Sequence, residues 1–268
     1  MKMKWTSAPY LVWMTVFIAV PLLMIAVFAF TTNDGAFTIK NIQDVGQYAN
    51  IFFRSIWLSV IATVICLLIS YPVAFILSRM EKHQQATMLM IVMLPMWMNF
   101  LLRTYAWMTL LGNNGVINYL LGLMGLGSVK LINTSGAVVL GMVYNYLPFM
   151  ILPLYSVMVK IDKSVIEAAS DLGCSSIGTI FRVVVPLSLP GITSGVTMVF
   201  VPAISTFIIS RMLGGGSNLL IGDLIEMQFL GNSYNPHLGA AISLVLMVII
   251  LVIMTVMNQF SPDDQVLI

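Results

Sequence analysis

The sequence predicts an all-α integral membrane protein with six transmembrane helices, on three observations. Apolar residues make up 59% of the 268 positions and charged residues 8%, where a soluble domain carries roughly 45–50% and about 25%. Mean hydropathy is +0.99. Six apolar runs each reach about 20 residues or more, enough for a helix to cross ~30 Å of hydrocarbon. A chain this poor in charge cannot cover a water-facing surface, so its second solvent is the bilayer.

The runs cover residues 11–30, 55–78, 87–111, 134–158, 187–210 and 238–258, and residues 1–268 read as a single transmembrane domain. The first run follows Lys2 and Lys4, as a signal peptide would. Its apolar core exceeds the usual ~7–15 residues and no small-x-small cleavage site follows, so it reads as a retained span. The second and third runs are joined by a short turn, residues 79–86. Gly112–Asn133 then holds an apolar piece, Val116–Met124, too short to span and expected as an interfacial or dipping helix. Between the fourth and fifth runs, 159–186 is long, polar at its start and helical in pattern. The loop 211–237 carries Gly214, Gly215 and Gly216, then Asp223 and Glu226.

Six spans put both termini on one side, and Lys and Arg choose the side. With the N-terminus inside, the inner segments hold Lys2, Lys4, Arg79, Lys82, Lys160, Lys163 and Arg182, seven in all. The outer segments hold four: Lys40, Arg54, Lys130 and Arg211. The expected topology is N-in and C-in. Net charge is +2 with no basic block, so nucleic-acid binding has no electrostatic support. Cys66 and Cys174 form no ligand set, and no metal site is expected.

The 159–186 loop encodes a helix–turn–helix. Ser164 and Glu167 have capping-box spacing, so Ser164 is the expected N-cap. Val165, Ala168 and Leu172 then line up one apolar stripe. Gly173 supplies a stop, a second short helix is expected over Ser176–Val184, and Pro186 opens the next span. On periodicity alone this could be an interfacial helix that covers the ends of the spans.

A longer pattern adds to that. Glu167-Ala168-Ala169, three residues, Gly173, nine residues, then Val183-Val184-Val185-Pro186 resembles the EAA loop of bacterial ABC-importer permeases. Val183 and Val185 stand where the family pattern has Ile and Leu. Leu101-Leu102-Arg103-Thr104-Tyr105-Ala106-Trp107, Tyr146-Leu147-Pro148-Phe149-Met150 and Gly214-Gly215-Gly216-Ser217-Asn218-Leu219-Leu220-Ile221-Gly222 are similar to the polyamine-type (spermidine/putrescine) permeases. The resemblance implies a type I ABC-importer permease fold, with a cytoplasmic coupling helix between spans 4 and 5. It implies as partners a second homologous permease, two ATP-binding subunits and an extracytoplasmic polyamine-binding protein. Glu167, Ala168, Ala169, Asp171, Gly173, Arg182 and Pro186 would then couple to an ATPase. Independently, the sequence has no G-x-x-x-x-G-K-[ST] phosphate loop. No cofactor is expected on this chain, and ATP with magnesium would act in the partner subunits.

A polyamine path needs acceptors or aromatic faces. All ten carboxylates fall in loops or tails, Asp263 and Asp264 among them. The candidate wall is therefore aromatic and neutral: Trp97, Asn99 and Tyr105 around the third span, with Tyr105 about two turns beyond Trp97 on one helix and offset by ~80°. Tyr144, Asn145 and Tyr146 form a second polar insertion, and Asp223 and Glu226 could meet a cation at the outer mouth. Arg103, the one intramembrane charge, is expected to pair with a carbonyl or a carboxylate. No Ser, Cys or His stands in catalytic array, so no enzymatic role is expected. A permease for another small solute, a stand-alone channel and an intramembrane enzyme are the alternatives.

Overall fold

The computed structural model describes residues 8–259 apart from Leu126, Ser217 and Asn232. Lys2, Lys4, Asp263 and Asp264 lie outside the described residues. Among these, helices account for the architecture, and the sole strand pairing is one isolated bridge between Thr31 and Phe37.

Four helices are long and apolar enough to cross a membrane: Pro9–Ala29 (α1), Lys40–Arg79, Ser135–Met158 and Pro236–Met257. Two bent pairs, Lys82–Trp97 with Phe100–Leu123 and Ser176–Leu187 with Leu189–Ile204, bring the number to six if each pair is one span. The second span comprises a short helix, α2 (Lys40–Val45), a 3-10 turn, and α3 (Ala49–Arg79), which starts six residues before the expected boundary.

The third run is not the continuous helix its hydropathy suggests. α4 (Lys82–Trp97) stops, and α5 (Phe100–Leu111) leaves at 85° to it. Pro95 already weakens the ladder in the last turn of α4. Asn99 then restarts the helix as an N-cap, its Oδ1 accepting from the N–H groups of Leu101 (2.8 Å) and Leu102 (3.4 Å). The short piece expected after it is helical, α6 (Val116–Leu123). α7 (Ser135–Met158) is the fourth span, capped by Thr134.

The loop between spans four and five contains α8 (Lys163–Asp171) and α9 (Ser176–Leu187), the second bearing a π turn over Ile180–Val184. α10 (Leu189–Ile204) ends short of the expected position 210, and the chain breaks over residues 205–207 before α11 (Ile208–Gly214). The segment 211–237 is thus no plain loop: it holds the end of α11 and α12 (Ile221–Leu230). The Asp223 carboxylate accepting the Leu220 N–H (2.9 Å) and the Ser55 hydroxyl accepting the Ile221 N–H (2.9 Å) supply the helix start that composition concealed. α13 (Pro236–Gln259) closes the chain.

Two apolar cores hold these helices. One, built from α3, α7, α10 and α11, contains Ala62, Cys66, Ala74, Met142, Met150, Leu154 and Val199. The other joins α1, α10, α12 and α13 through Ala29, Phe200, Ile204, Ile221, Leu224, Ala240, Ile242 and Leu246. Small residues set the distance between α10 and α7. A Cβ placed on Gly191 would lie 3.0 Å from the Pro153 carbonyl oxygen, so the Gly191/Gly195 pair serves close packing.

Candidate functional site: the loop between spans four and five and the outer cavity

The 163–187 segment is built from local capping. Asp162, not Ser164, caps α8: its Oδ1 accepts from the Ser164 N–H at 3.0 Å. An aspartate caps as well as a serine and adds negative charge at the positive end of the helix, so the earlier residue wins. That hydrogen bond holds the Asp162 carboxyl below its ordinary range. At the other end Gly173 takes φ +83°. The Cys174 N–H reaches the Ala169 oxygen and the Gly173 N–H reaches Ser170, which is a Schellman closure. Ser175 caps α9 through the Gly178 N–H at 3.1 Å.

This geometry sorts the side chains. Ala169, Thr179 and Val184 are buried, whereas Glu167, Ala168, Asp171, Gly173, Arg182 and Pro186 are exposed. The expected apolar stripe is exposed, Leu172 at 86% and Val165 at 41%, and Ile177 and Phe181 on the second helix are 69% exposed each. The segment thus exposes large apolar side chains and a carboxylate, Glu167, on the same helix–turn–helix.

The sequence-predicted wall residues are scattered. Trp97, 72% exposed, closes α4 and Tyr105 lies on α5, so the 85° break separates two residues expected on one helix. Asn99 spends its oxygen on capping. Tyr144 meets Trp107 edge to face at 5.4 Å, Asn145 donates to the Gly141 oxygen, and Tyr146 donates to the Pro202 oxygen at 3.3 Å. These last three are packed within the helix bundle. Arg103 does not pair as expected: it is buried beside the Phe100 ring (5.9 Å), and its Nε and Nη1 have no partner among the described residues.

Asp223 and Glu226 do sit together, one turn apart on α12. Asp223 lines a cavity of about 290 Å³ with Ser210, Arg211, Asn218 and Met227. Asn218 donates its amide to the Asn133 and Gly214 oxygens, and the Ser210 hydroxyl donates to Phe207. Arg211 Nη1 donates to Glu226 Oε1 at 2.7 Å. One oxygen of each carboxylate, Asp223 Oδ1 and Glu226 Oε2, is buried without a partner among the described residues. Burial pushes the Asp223 carboxyl above its ordinary range, although the Leu220 N–H and the Arg211 charge pull the other way.

Sequence reasoning missed a second polar group, at the start and end of the loop. Arg79 donates to the Ile161 and Met158 oxygens, Gln85 accepts from the Tyr155 hydroxyl, and Tyr71 meets Ser188. The only sequence signal was Arg79 as a charge counted for orientation.

Residues 71–263 match the model of the family described as binding-protein-dependent transport system inner membrane component. The chain belongs to that family. This inner membrane component is 40% identical to the spermidine/putrescine transport system permease protein PotB of Haemophilus influenzae, over 92% of this chain and 89% of that protein. It is 36% identical to PotB of Escherichia coli K12, over 88% and 90%. Among solved structures it is similar to a chain of a bacterial ABC transporter that imports the acidic polysaccharide alginate (TM-score 0.76, 18% identity, 96% of this chain and 93% of that one). The transport component therefore has the type I ABC-importer permease fold and is a multi-pass inner membrane protein. Its relatives are permease subunits, not enzymes.

Proposed function

We propose that this chain is one of two permease subunits that form the path of an ATP-driven importer for polyamines such as spermidine and putrescine. The single observation that carries the coupling role is the exposure of Leu172, Ile177 and Phe181, together with Glu167, on a helix–turn–helix closed by its own caps. In the N-in, C-in orientation this helix–turn–helix faces the cytoplasm and seats in a cleft of one of two ATP-binding subunits. Without a phosphate loop in this sequence, nucleotide and magnesium are assigned to those subunits. The names of the relatives support the polyamine assignment. An alginate importer is known in complex with a solute-bound periplasmic protein, which supports delivery by an extracytoplasmic binding protein here.

Asp223 and Glu226 suit the outer mouth of such a path. Each offers a buried carboxylate oxygen that lacks a hydrogen bond, a costly state that an ammonium group would relieve. Exposed Trp97 and Tyr105 suit the wall shared with the second permease, where an ammonium over an aromatic face gains roughly 0.5–2 kcal/mol. Asn99, Tyr144, Asn145 and Tyr146 act by shaping that wall, since Asn99 caps α5, Tyr144 packs on Trp107, and Asn145 and Tyr146 hydrogen-bond to backbone oxygens within the bundle. The test is uptake in proteoliposomes that hold both permeases and the ATPase. Spermidine import that needs both ATP and the binding protein is expected; import by this chain alone would favour the channel instead.

A further inference from the structure

The loop that carries Glu167 is tied to the spans at its two ends and nowhere between. Among the described residues, no hydrogen bond joins 163–182 to any span; those it makes are its own caps and turns. Both ends are held by the same helix, α3.

At the start, Arg79 in the last turn of α3 donates Nη1 to the Ile161 oxygen (3.0 Å) and Nη2 to the Met158 oxygen (3.4 Å). Met158 is the last residue of α7, so the guanidinium sits where that helix exposes unpaired carbonyls and partial negative charge. The Phe75 ring, one turn back on α3, lies 5.5 Å from the guanidinium carbon and fixes its position. A second tie lies beside it. Gln85 of α4 donates to the Ser78 and Met80 oxygens and accepts from the Tyr155 hydroxyl of α7 at 2.8 Å.

At the end of the loop, Ser188 is fully buried at the 72° bend between α9 and α10. Its hydroxyl donates its one proton to the Val185 oxygen (3.1 Å), so the Tyr71 hydroxyl donates to Ser188 Oγ at 3.0 Å. Tyr71, Phe75 and Arg79 follow one another at i, i+4 and i+8, a single stripe about 12 Å long.

We propose that Arg79 and Tyr71 are positioning residues that make α3 the receiver of the stroke delivered to the loop. This rests on the coupling role proposed above. A displacement of the loop moves the Ile161 carbonyl and the Ser188 hydroxyl together, and both pull on the cytoplasmic third of α3. Because α3 packs against α7 and α10 in one core, those three spans then move as one body. With either clamp cut, the loop pivots about the other and part of the stroke is lost while ATP is still consumed.

The measurement is spermidine imported per ATP hydrolysed, in proteoliposomes of the whole complex, for Tyr71→Phe, Ser188→Ala, their double variant, Arg79→Gln and Arg79→Lys. Tyr71→Phe removes a single hydroxyl and keeps the ring. The expected result is a fall in that ratio of about 2- to 10-fold for Tyr71→Phe and for Ser188→Ala, the range one hydrogen bond commands. The double variant should be no worse than either single one. Arg79→Gln should lower the ratio more than Arg79→Lys, which keeps charge at the α7 terminus. An unchanged ratio, or transport and hydrolysis falling in proportion, overturns the proposal. Glu167→Arg in the same preparation keeps the two ideas apart. If it releases the ATPase while the clamp variants keep a normal ratio, the coupling role stands and the clamps fail.

Discussion

Arg211 gives Glu226 a hydrogen bond of 2.7 Å, while Asp223, one turn earlier on the same helix, lines the neighbouring cavity and has one buried oxygen without a partner among the described residues. The two carboxylates therefore differ in what they can offer a cation. Glu226 also keeps one buried oxygen without a partner among the described residues but shares its charge with Arg211, which holds α12 to α11, whereas Asp223 lines the cavity.

Asp223→Asn removes the charge while keeping the shape and the acceptor for the Leu220 N–H. Spermidine uptake should fall severalfold, with binding-protein-stimulated ATP hydrolysis retained. The pH dependence follows from burial, which raises this carboxyl above its ordinary 3.8. Protonation makes it neutral, so cation uptake should decline on acidification at a higher pH than a solvated aspartate would dictate. In Asp223→Asn that acid limb should vanish. An unaltered acid limb, read from uptake against external pH, would assign it to another group.

Trp97→Leu keeps apolar bulk at the exposed end of α4 and deletes the aromatic face. A loss of roughly 0.5–2 kcal/mol in cation stabilisation is expected, read as a reduced uptake rate at normal complex yield. Unchanged transport would remove Trp97 from the path.

Gly222→Ala tests how α12 docks. A Cβ at this position would collide with the backbone oxygens of Ser205 and Thr206 in the break after α10. Backbone atoms cannot step aside as a flexible side chain can. A cost of about 1–3 kcal/mol is expected, seen as a lower thermal midpoint of the purified complex in detergent. An unchanged midpoint would show that the break at 205–207 yields freely.

Leu172→Asp tests the outward stripe. Burying one leucine side chain against a partner is worth roughly 1.5–3 kcal/mol. The ATP-binding subunit should therefore dissociate about tenfold more readily or worse, measured by retention of that subunit during affinity purification. Undiminished retention would mean that Leu172 stays in solvent in the assembled complex.

What the sequence revealed and what it hid divide by range. Gly173 was legible as a stop because a left-handed residue after a last turn is set by immediate neighbours, and the exposed Glu167 and Ala168 came with it. Even there Asp162 displaced Ser164 as the cap, since both offer oxygen one turn from free N–H groups and local pattern does not rank them. The break at Met98–Asn99 was hidden because Pro95 inside an apolar run reads as a kink, and hydropathy is blind to direction. The start of α12, which carries Asp223, is capped in part by Ser55, which accepts from the Ile221 N–H 166 residues away. The two clamps bridge 82 and 117 residues. No window on a single sequence spans such pairs, and an arginine at a span end looks the same whether it faces lipid phosphate or the carbonyls of a neighbouring helix.

The most direct test of the coupling role is retention of the ATP-binding subunit by the Glu167→Arg variant, purified through the second permease. Reversing this exposed charge leaves the caps of α8 and the cores untouched, so the two permeases should still associate. The expected result is a permease pair that has lost its ATPase and its ATP-driven spermidine uptake. A full complement of ATPase bound to Glu167→Arg, with uptake intact, would contradict it.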